Sequence, residues 1–229
     1  MRLWPALLVL LAGCAPQDPG LLIRAALTSD DQCTYSESNP TLLSGALDTT
    51  SFTPIRYQMA ALYANQLIDL GEPGANGPPR SDPNLITVTR ARVEIRNADN
   101  VPLALPGVAN PYETAATGFV PSSDGTTLGQ GIGVIEVIPG NVGEALRGLD
   151  GLTILASIQP IGSTAGGARV LGTELLWPIR LCAGCLLLCG RDSDSQPICR
   201  PTCNPGQDEA FYSPQVCDPA SPLTCVIGG

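Results

Sequence analysis

Apolar and polar positions alternate with a period of two over much of this chain, the spacing expected of strands with one buried face. Residues 86–96 show it most clearly. Arg90, Arg92, Glu94 and Arg96 fall on one side of the pleat, and Thr89, Ala91, Val93 and Ile95 on the other. Asn97-Ala98-Asp99-Asn100 then turns the chain into a short strand at 101–105. Further strands are expected at 42–48, after Pro40, and at 112–120, before the turn Ser122-Ser123-Asp124-Gly125. Residues 132–138 are apolar around Glu136, as a central strand should be, and Pro139-Gly140 ends them. Residues 55–67 fit two periods: Ile55, Tyr57, Met59, Ala61 and Tyr63 alternate, whereas Met59, Leu62, Tyr63, Gln66 and Leu67 suit a helical stripe. We favour the strand.

One helix is expected, with Asn141 as its cap, Glu144 three positions on, and an end near Leu149 before Gly151. Strands at 152–161 and 169–179 form the last pair, joined by the glycine-rich connection Gly162-Ser163-Thr164-Ala165-Gly166-Gly167. Seven or eight strands separated by turn signals predict an all-β fold. The expected form is an antiparallel, immunoglobulin-like Greek-key β-sandwich with one short helix. Trp177 does not sit between two core cysteines, so an antibody-type domain is not supported. It reads as a core residue.

The amino terminus departs from this pattern. Arg2 is the only charge before the apolar run 3–12, and Gly13-Cys14 follows. Ten helical residues reach about 15 Å, half of a hydrocarbon core of about 30 Å. The run is therefore too short to span a bilayer but fits the apolar region of a secretory signal. Leu11-Ala12-Gly13-Cys14 resembles the lipobox of bacterial lipoproteins. The resemblance implies cleavage before Cys14, a diacylglycerol thioether on its sulfur, and acylation (typically palmitate) of its new amine. Ala15 in place of Asp implies sorting to the outer membrane, on its periplasmic or cell-surface side.

Lipidation of Cys14 leaves Cys33, Cys182, Cys185, Cys189, Cys199, Cys203, Cys217 and Cys225, an even set suited to disulfides in an exported chain. Seven of these lie beyond residue 181, so complete pairing requires one to reach back to Cys33. The partner is expected early in the tail, at Cys182 ahead of Cys185, because both leave the last strand directly. Cys182-Ala183-Gly184-Cys185 also has the form of a redox motif, and Cys182, Cys185, Cys189, Cys199 and Cys203 could be drawn as a zinc site. A structural staple is the reading we favour. The expected organisation is a signal peptide at 1–13, a lipidated terminus and tether at 14–33, a β-sandwich at 34–181 and a disulfide-stapled, loop-rich tail at 182–229. Together the lipobox, the 162–167 connection and the stretch Leu176-Trp177-Pro178-Ile179-Arg180-Leu181-Cys182-Ala183-Gly184-Cys185 resemble lipoproteins found in myxobacteria and their relatives. That resemblance implies an exported, anchored protein and carries over no site.

Composition narrows the chemistry. The 229 residues include no His, and all 12 basic residues are Arg. Histidine-dependent catalysis, imidazole metal ligation, lysine Schiff bases and a phosphate-binding P-loop are thereby excluded. A net charge of −9 argues against nucleic acid as the partner. Gly129-x-Gly131-x-Gly133 leads into a strand rather than a helix, so the glycines serve close packing or a bulge. Asp192-Ser193-Asp194 begins like a calcium loop, but Pro197 stands where its glycine belongs. Aromatic residues are 4% of the chain, and the five tyrosines are dispersed, so no sugar-stacking platform is marked. We expect no catalytic residue, no metal and no cofactor. The expected role is a non-enzymatic structural or adhesive interaction at the envelope, with a membrane, reached through the lipid, and an envelope protein or glycan as partners. The alternative is a ligand-binding module for envelope glycan or a small exported molecule.

Overall fold

The computed structural model describes residues 20–30, 32–50, 53–69, 82–186, 203–204 and 206–208. Its elements are β1 (Leu21–Leu27), β2 (Thr41–Leu42), β3 (Gly45–Asp48), β4 (Tyr57–Asn65), β5 (Ile86–Arg96), β6 (Tyr112–Val120), β7 (Gly129–Ile138), α1 (Gly140–Leu146), β8 (Thr153–Thr164), β9 (Arg169–Leu171) and β10 (Leu175–Cys182). The fold is all-β with one short helix. Neighbouring strands run β2-β1-β4-β7-β6-β5-β8-β10-β3, with β9 attached to β8. All pairings are antiparallel except β10 with β3. This order does not establish the expected immunoglobulin-like arrangement. Instead β6 pairs with both β5 and β7, and carries the chain of strands around the body as one nearly closed path.

Alternation explains which residues fill that path. Tyr57, Met59, Ala61 and Tyr63 point from β4 into the main core, which also takes Ala91, Val93 and Ile95 from β5, Ile154, Ala156 and Ile158 from β8, and Trp177 and Ile179 from β10. The period-two reading of 55–67 therefore holds. Its helical alternative fails because Ala60 and Leu62 lie on the opposite face, packed with Leu27 in a second small cluster. Trp177 is buried, as expected.

Several boundaries differ from the sequence reading, each for a local reason. Leu21–Leu27, assigned to the tether, is a strand paired along β4; a bulge at Arg24 breaks its alternation, which hid it. Thr89 is exposed rather than inward, because β5 bulges between Val88 and Arg90. Residues 101–105 give one bridge, Arg96 to Pro102, since proline cannot donate to a ladder. The 42–48 segment divides into β2 and β3. The 169–179 segment divides at Gly172 and Thr173, whose amides turn aside to Pro160 and Leu21. The helix begins two residues early, with Pro139 rather than Asn141 at the cap position and no side-chain cap; Glu144 pairs with Arg147 instead of closing a capping box.

The glycines of Gly129-x-Gly131-x-Gly133 have a defined task. A Cβ on Gly129, Gly131 or Gly133 would collide with the carbonyl oxygens of Pro121, Phe119 and Thr117 respectively. These three positions let β6 lie edge-on against β7 where the path turns between its two faces. Close packing, rather than phosphate, accounts for the motif.

Candidate functional site

Two places bring polar side chains together. The first lies where β1 has left the edge of β4. β1 pairs with β4 only as far as Ala60, so the start of β4 lacks a neighbour on that side. Residues 206–208 fill the slot. On one flank Asp48 N donates to Gly206 O (2.8 Å) and Asp208 N to Ala46 O (2.9 Å), which pairs the segment with β3. On the other flank the Gln207 side chain replaces a backbone: its Oε1 accepts from Gln58 N (2.6 Å) and its Nε2 donates to Gln58 O (2.5 Å). The tail is thus the last stave of the ring.

Side chains lock this stave from inside and outside. Trp177 Nε1 donates to Tyr57 Oη (3.1 Å), and Tyr57 Oη donates to Asp208 Oδ1 (3.0 Å), which also accepts from Ala46 N (2.8 Å). Burial, then the Asp208 charge, pushes the Tyr57 phenol far above its ordinary range, so this tyrosine stays a donor. A disulfide joins Cys33 to Cys203, with Cα atoms 5.3 Å apart. Cys33 is presented by a loop that Asp30 organises: its Oδ1 accepts from Gln32 N (2.9 Å) and Thr34 N (2.8 Å). The Thr34 hydroxyl, then the Thr34 amide, hold the Asp30 carboxyl below the usual aspartate range. Only about 30 Å³ remains between these groups, which is room for water and not for an organic ligand. The arrangement is a clasp.

The cross-link to Cys33 required by the odd tail count exists, but its partner is Cys203 and not Cys182. Cys182 is held at the end of β10, opposite Asp48 of β3, and bonds to Cys185. The buried Asp48 carboxylate fixes that turn by accepting from Gly184 N (3.0 Å) and Leu186 N (3.4 Å). Three of the five cysteines of the drawn zinc site are therefore engaged in disulfides. Among the described residues no group of three or more metal-ligating side chains converges, and no helix is long and apolar enough to cross a membrane. Cys14, Cys189, Cys199, Cys217, Cys225 and the Asp192–Asp194 turn lie outside the described residues.

The second place is on the outer face of β5 and β8. Register puts Arg92 opposite Gln159 and Glu94 opposite Ser157, and the polar row of β5 looks out from the core. Serine is small and its neighbours are long, so Ser157 forms the floor of a hollow of about 310 Å³. The hollow is ringed by Arg92, Glu94, Arg96, Gln159 and Glu174. Arg96 is committed: it pairs with Glu94 (2.6 Å) and Glu174 (3.1 Å). The hydrogen bond Arg96 donates to Glu94, opposed by burial and reinforced by both carboxylate charges, holds its guanidinium protonated. Outside the ring Arg90 pairs with Glu113 (2.6 Å). Sequence alone marked the charged row of β5 but not Ser157, whose place depends on the β5–β8 register. Nor did it mark Gln207 and Asp208, whose partners lie about 150 residues upstream. No family model matches this chain, and neither curated proteins nor solved structures give a match.

Proposed function

We propose that this is a lipid-anchored envelope protein, held at the outer membrane through Cys14, whose β body serves a non-enzymatic structural or adhesive interaction. The observation that carries this reading is Leu11-Ala12-Gly13-Cys14 at the end of the apolar run 3–12. The disulfide from Cys33 to Cys203 supports it, since such bonds persist in exported chains. Two or three acyl chains give stable anchoring where one is marginal. β1 opens at Leu21, so the chain from Cys14 reaches at most about 25 Å before it enters the sheet. An anchored body would stay close to the lipid, with the Leu21 end of β1 toward the membrane and the clasp away from it. The absence of His and Lys from the sequence supports a non-enzymatic role. Cys14→Ala tests the anchor: labelled palmitate incorporation should vanish and the protein should leave the outer-membrane fraction. Unchanged labelling and fractionation would overturn the reading.

One observation favours the alternative, a ligand-binding module for envelope glycan or a small exported molecule. It is the polar hollow around Ser157, where long charged and amide side chains converge on a small buried floor.

A further inference from the structure

We propose that the hollow over Ser157 is a binding site for a carboxylated sugar, of which a uronic acid residue is the simplest form, held by Arg92 and Ser157. This rests on the ligand-binding reading and names its chemistry.

Two groups without a side-chain partner among the described residues line the same space. Ser157 is only 6% exposed, lines the hollow, and its hydroxyl makes no hydrogen bond among the described residues. That hydroxyl opens into the hollow with no protein partner among the described residues, so it is free to hydrogen-bond a ligand atom placed there. Arg92 stands on the adjacent register row and makes no ion pair among the described residues, whereas Arg90 and Arg96 beside it on the strand are both paired. A guanidinium presents a planar fork of donors that matches a carboxylate, with two parallel hydrogen bonds. The ring's two arginines and two glutamates balance, and Arg96 is taken by both carboxylates, which leaves Arg92 as the ring's uncommitted cation among the described residues.

The rest of the ring selects among anions. Glu94 and Glu174 flank the hollow, and each carboxylate has one oxygen on Arg96. Their acceptor capacity suits sugar hydroxyls and opposes a doubly charged phosphate. Gln159 donates its Nε2 to Gly172 O (3.1 Å), and its side-chain oxygen carries no hydrogen bond among the described residues, so it too can accept. A ligand with one carboxylate and several hydroxyls meets all these groups; a neutral sugar leaves Arg92 unanswered. The volume of about 310 Å³ lies at the small end of ligand sites, the size for one or two sugar rings. The ring is preorganised, because β5 and β8 pair along the whole of β5 and Glu174–Arg96–Glu94 is already tied.

The test is equilibrium titration of the full chain with a glucuronate-containing disaccharide, its neutral glucose counterpart and inorganic phosphate. The acidic disaccharide should bind, and rising salt should weaken it. Arg92→Gln should weaken binding roughly tenfold or more, Ser157→Ala roughly two- to tenfold, and Arg90→Gln should leave it unchanged. Thermal melts of each variant report folding; these outer-face changes should leave them in place. Equal binding by Arg92→Gln and the parent chain would overturn the site. Phosphate or the neutral disaccharide binding as tightly would overturn the carboxylated-sugar class while leaving a ligand-binding role. Failure of acidic and neutral sugars alike would overturn both.

Discussion

Tyr57 and Tyr63 are both buried and share one face of β4, yet they sit in regions held by different physics. Around Tyr63 the strands are complete. Its ring lies so close to the β6 backbone that a Cβ on Gly118 would strike it, and its hydroxyl finds no partner among the described residues. Ladder pairing and apolar burial hold that tyrosine, with no polar group answering its hydroxyl among the described residues. Around Tyr57 a strand is missing, and the chain supplies a substitute from more than 140 residues away. Here every group is answered by a polar one: Trp177 and Asp208 on the phenol, Gln207 on the backbone of Gln58. A contiguous ladder orders itself. A segment of three residues does not, because the entropy of placing it exceeds what a few exchanged hydrogen bonds return. Covalent attachment through Cys33–Cys203 removes much of that cost.

The strongest way to break the contrast is to cut the attachment. Cys33→Ser with Cys203→Ser opens a bond spanning 170 residues, for which chain entropy gives a loss of about 5 kcal/mol. Cys182→Ser with Cys185→Ser opens a bond spanning three residues, worth about 2 kcal/mol on the same basis. Urea unfolding measures both. Hydrogen exchange locates the effect: amides of Ala46, Asp48 and Gln58, bonded to 206–208, should lose protection before those of β5 and β8. Equal losses from the two pairs, or protection lost first in β5, would mean that the clasp is not the separately fastened region described.

The same division decides what could be read from the sequence. Tyr112–Val120 alternates strictly and is the strand expected, to the residue. Residues 86–96 were legible down to their outward charges, apart from Thr89, because a bulge has no signature in a pattern of period two. Counting cysteines showed that Cys33 must reach the tail, since parity needs no geometry. The partner was beyond reach: Cys182 is held on β3 by pairing opposite Asp48, a parallel neighbour no local pattern announces. Gln207 could not be read at all, because a side chain standing in for a backbone leaves no periodicity. Ser157 is one serine among many until register places Glu94 across from it. Long apolar ladders write themselves into the sequence, whereas closures made by single side chains do not.

Alkali sharpens the comparison, because both regions keep their phenols neutral. Burial raises Tyr57, Tyr63 and Tyr112 well above the ordinary value of 10.0, with the Asp208 charge adding at Tyr57 and the Glu136 charge at Tyr112. A folded-state pKa above the unfolded one means that stability is complete below pH 10 and falls as pH rises past it. Each tyrosine contributes a slope of about 1.4 kcal/mol per pH unit, so the three together remove roughly 4 kcal/mol at pH 11. With no Lys in the chain, no ammonium titration overlaps this window. Unfolding midpoints at pH 9, 10 and 11 should fall along that slope, and tyrosinate absorbance from these three residues should rise only with unfolding. A rise near pH 10 in the folded protein would show the phenols to be solvated.

Removing each hydroxyl in turn separates the regions by sign. Tyr57→Phe takes away the acceptor of Trp177 Nε1 and a donor to Asp208, leaving a buried indole N–H without its partner. The expected cost is about 1–3 kcal/mol. Tyr63→Phe removes a buried hydroxyl that has no partner among the described residues, and keeps the ring that packs on Gly118. Folding the wild type strips that hydroxyl of water without replacing its hydrogen bond, a penalty the phenylalanine does not carry. The variant should gain about 1 kcal/mol in urea, where most core substitutions lose. It should also flatten the alkaline slope by one tyrosine, whereas Tyr57→Phe flattens the slope while lowering the plateau. If Tyr63→Phe instead destabilises by as much as Tyr57→Phe, its hydroxyl has a polar partner in the folded protein, and the region around it is held as the clasp is.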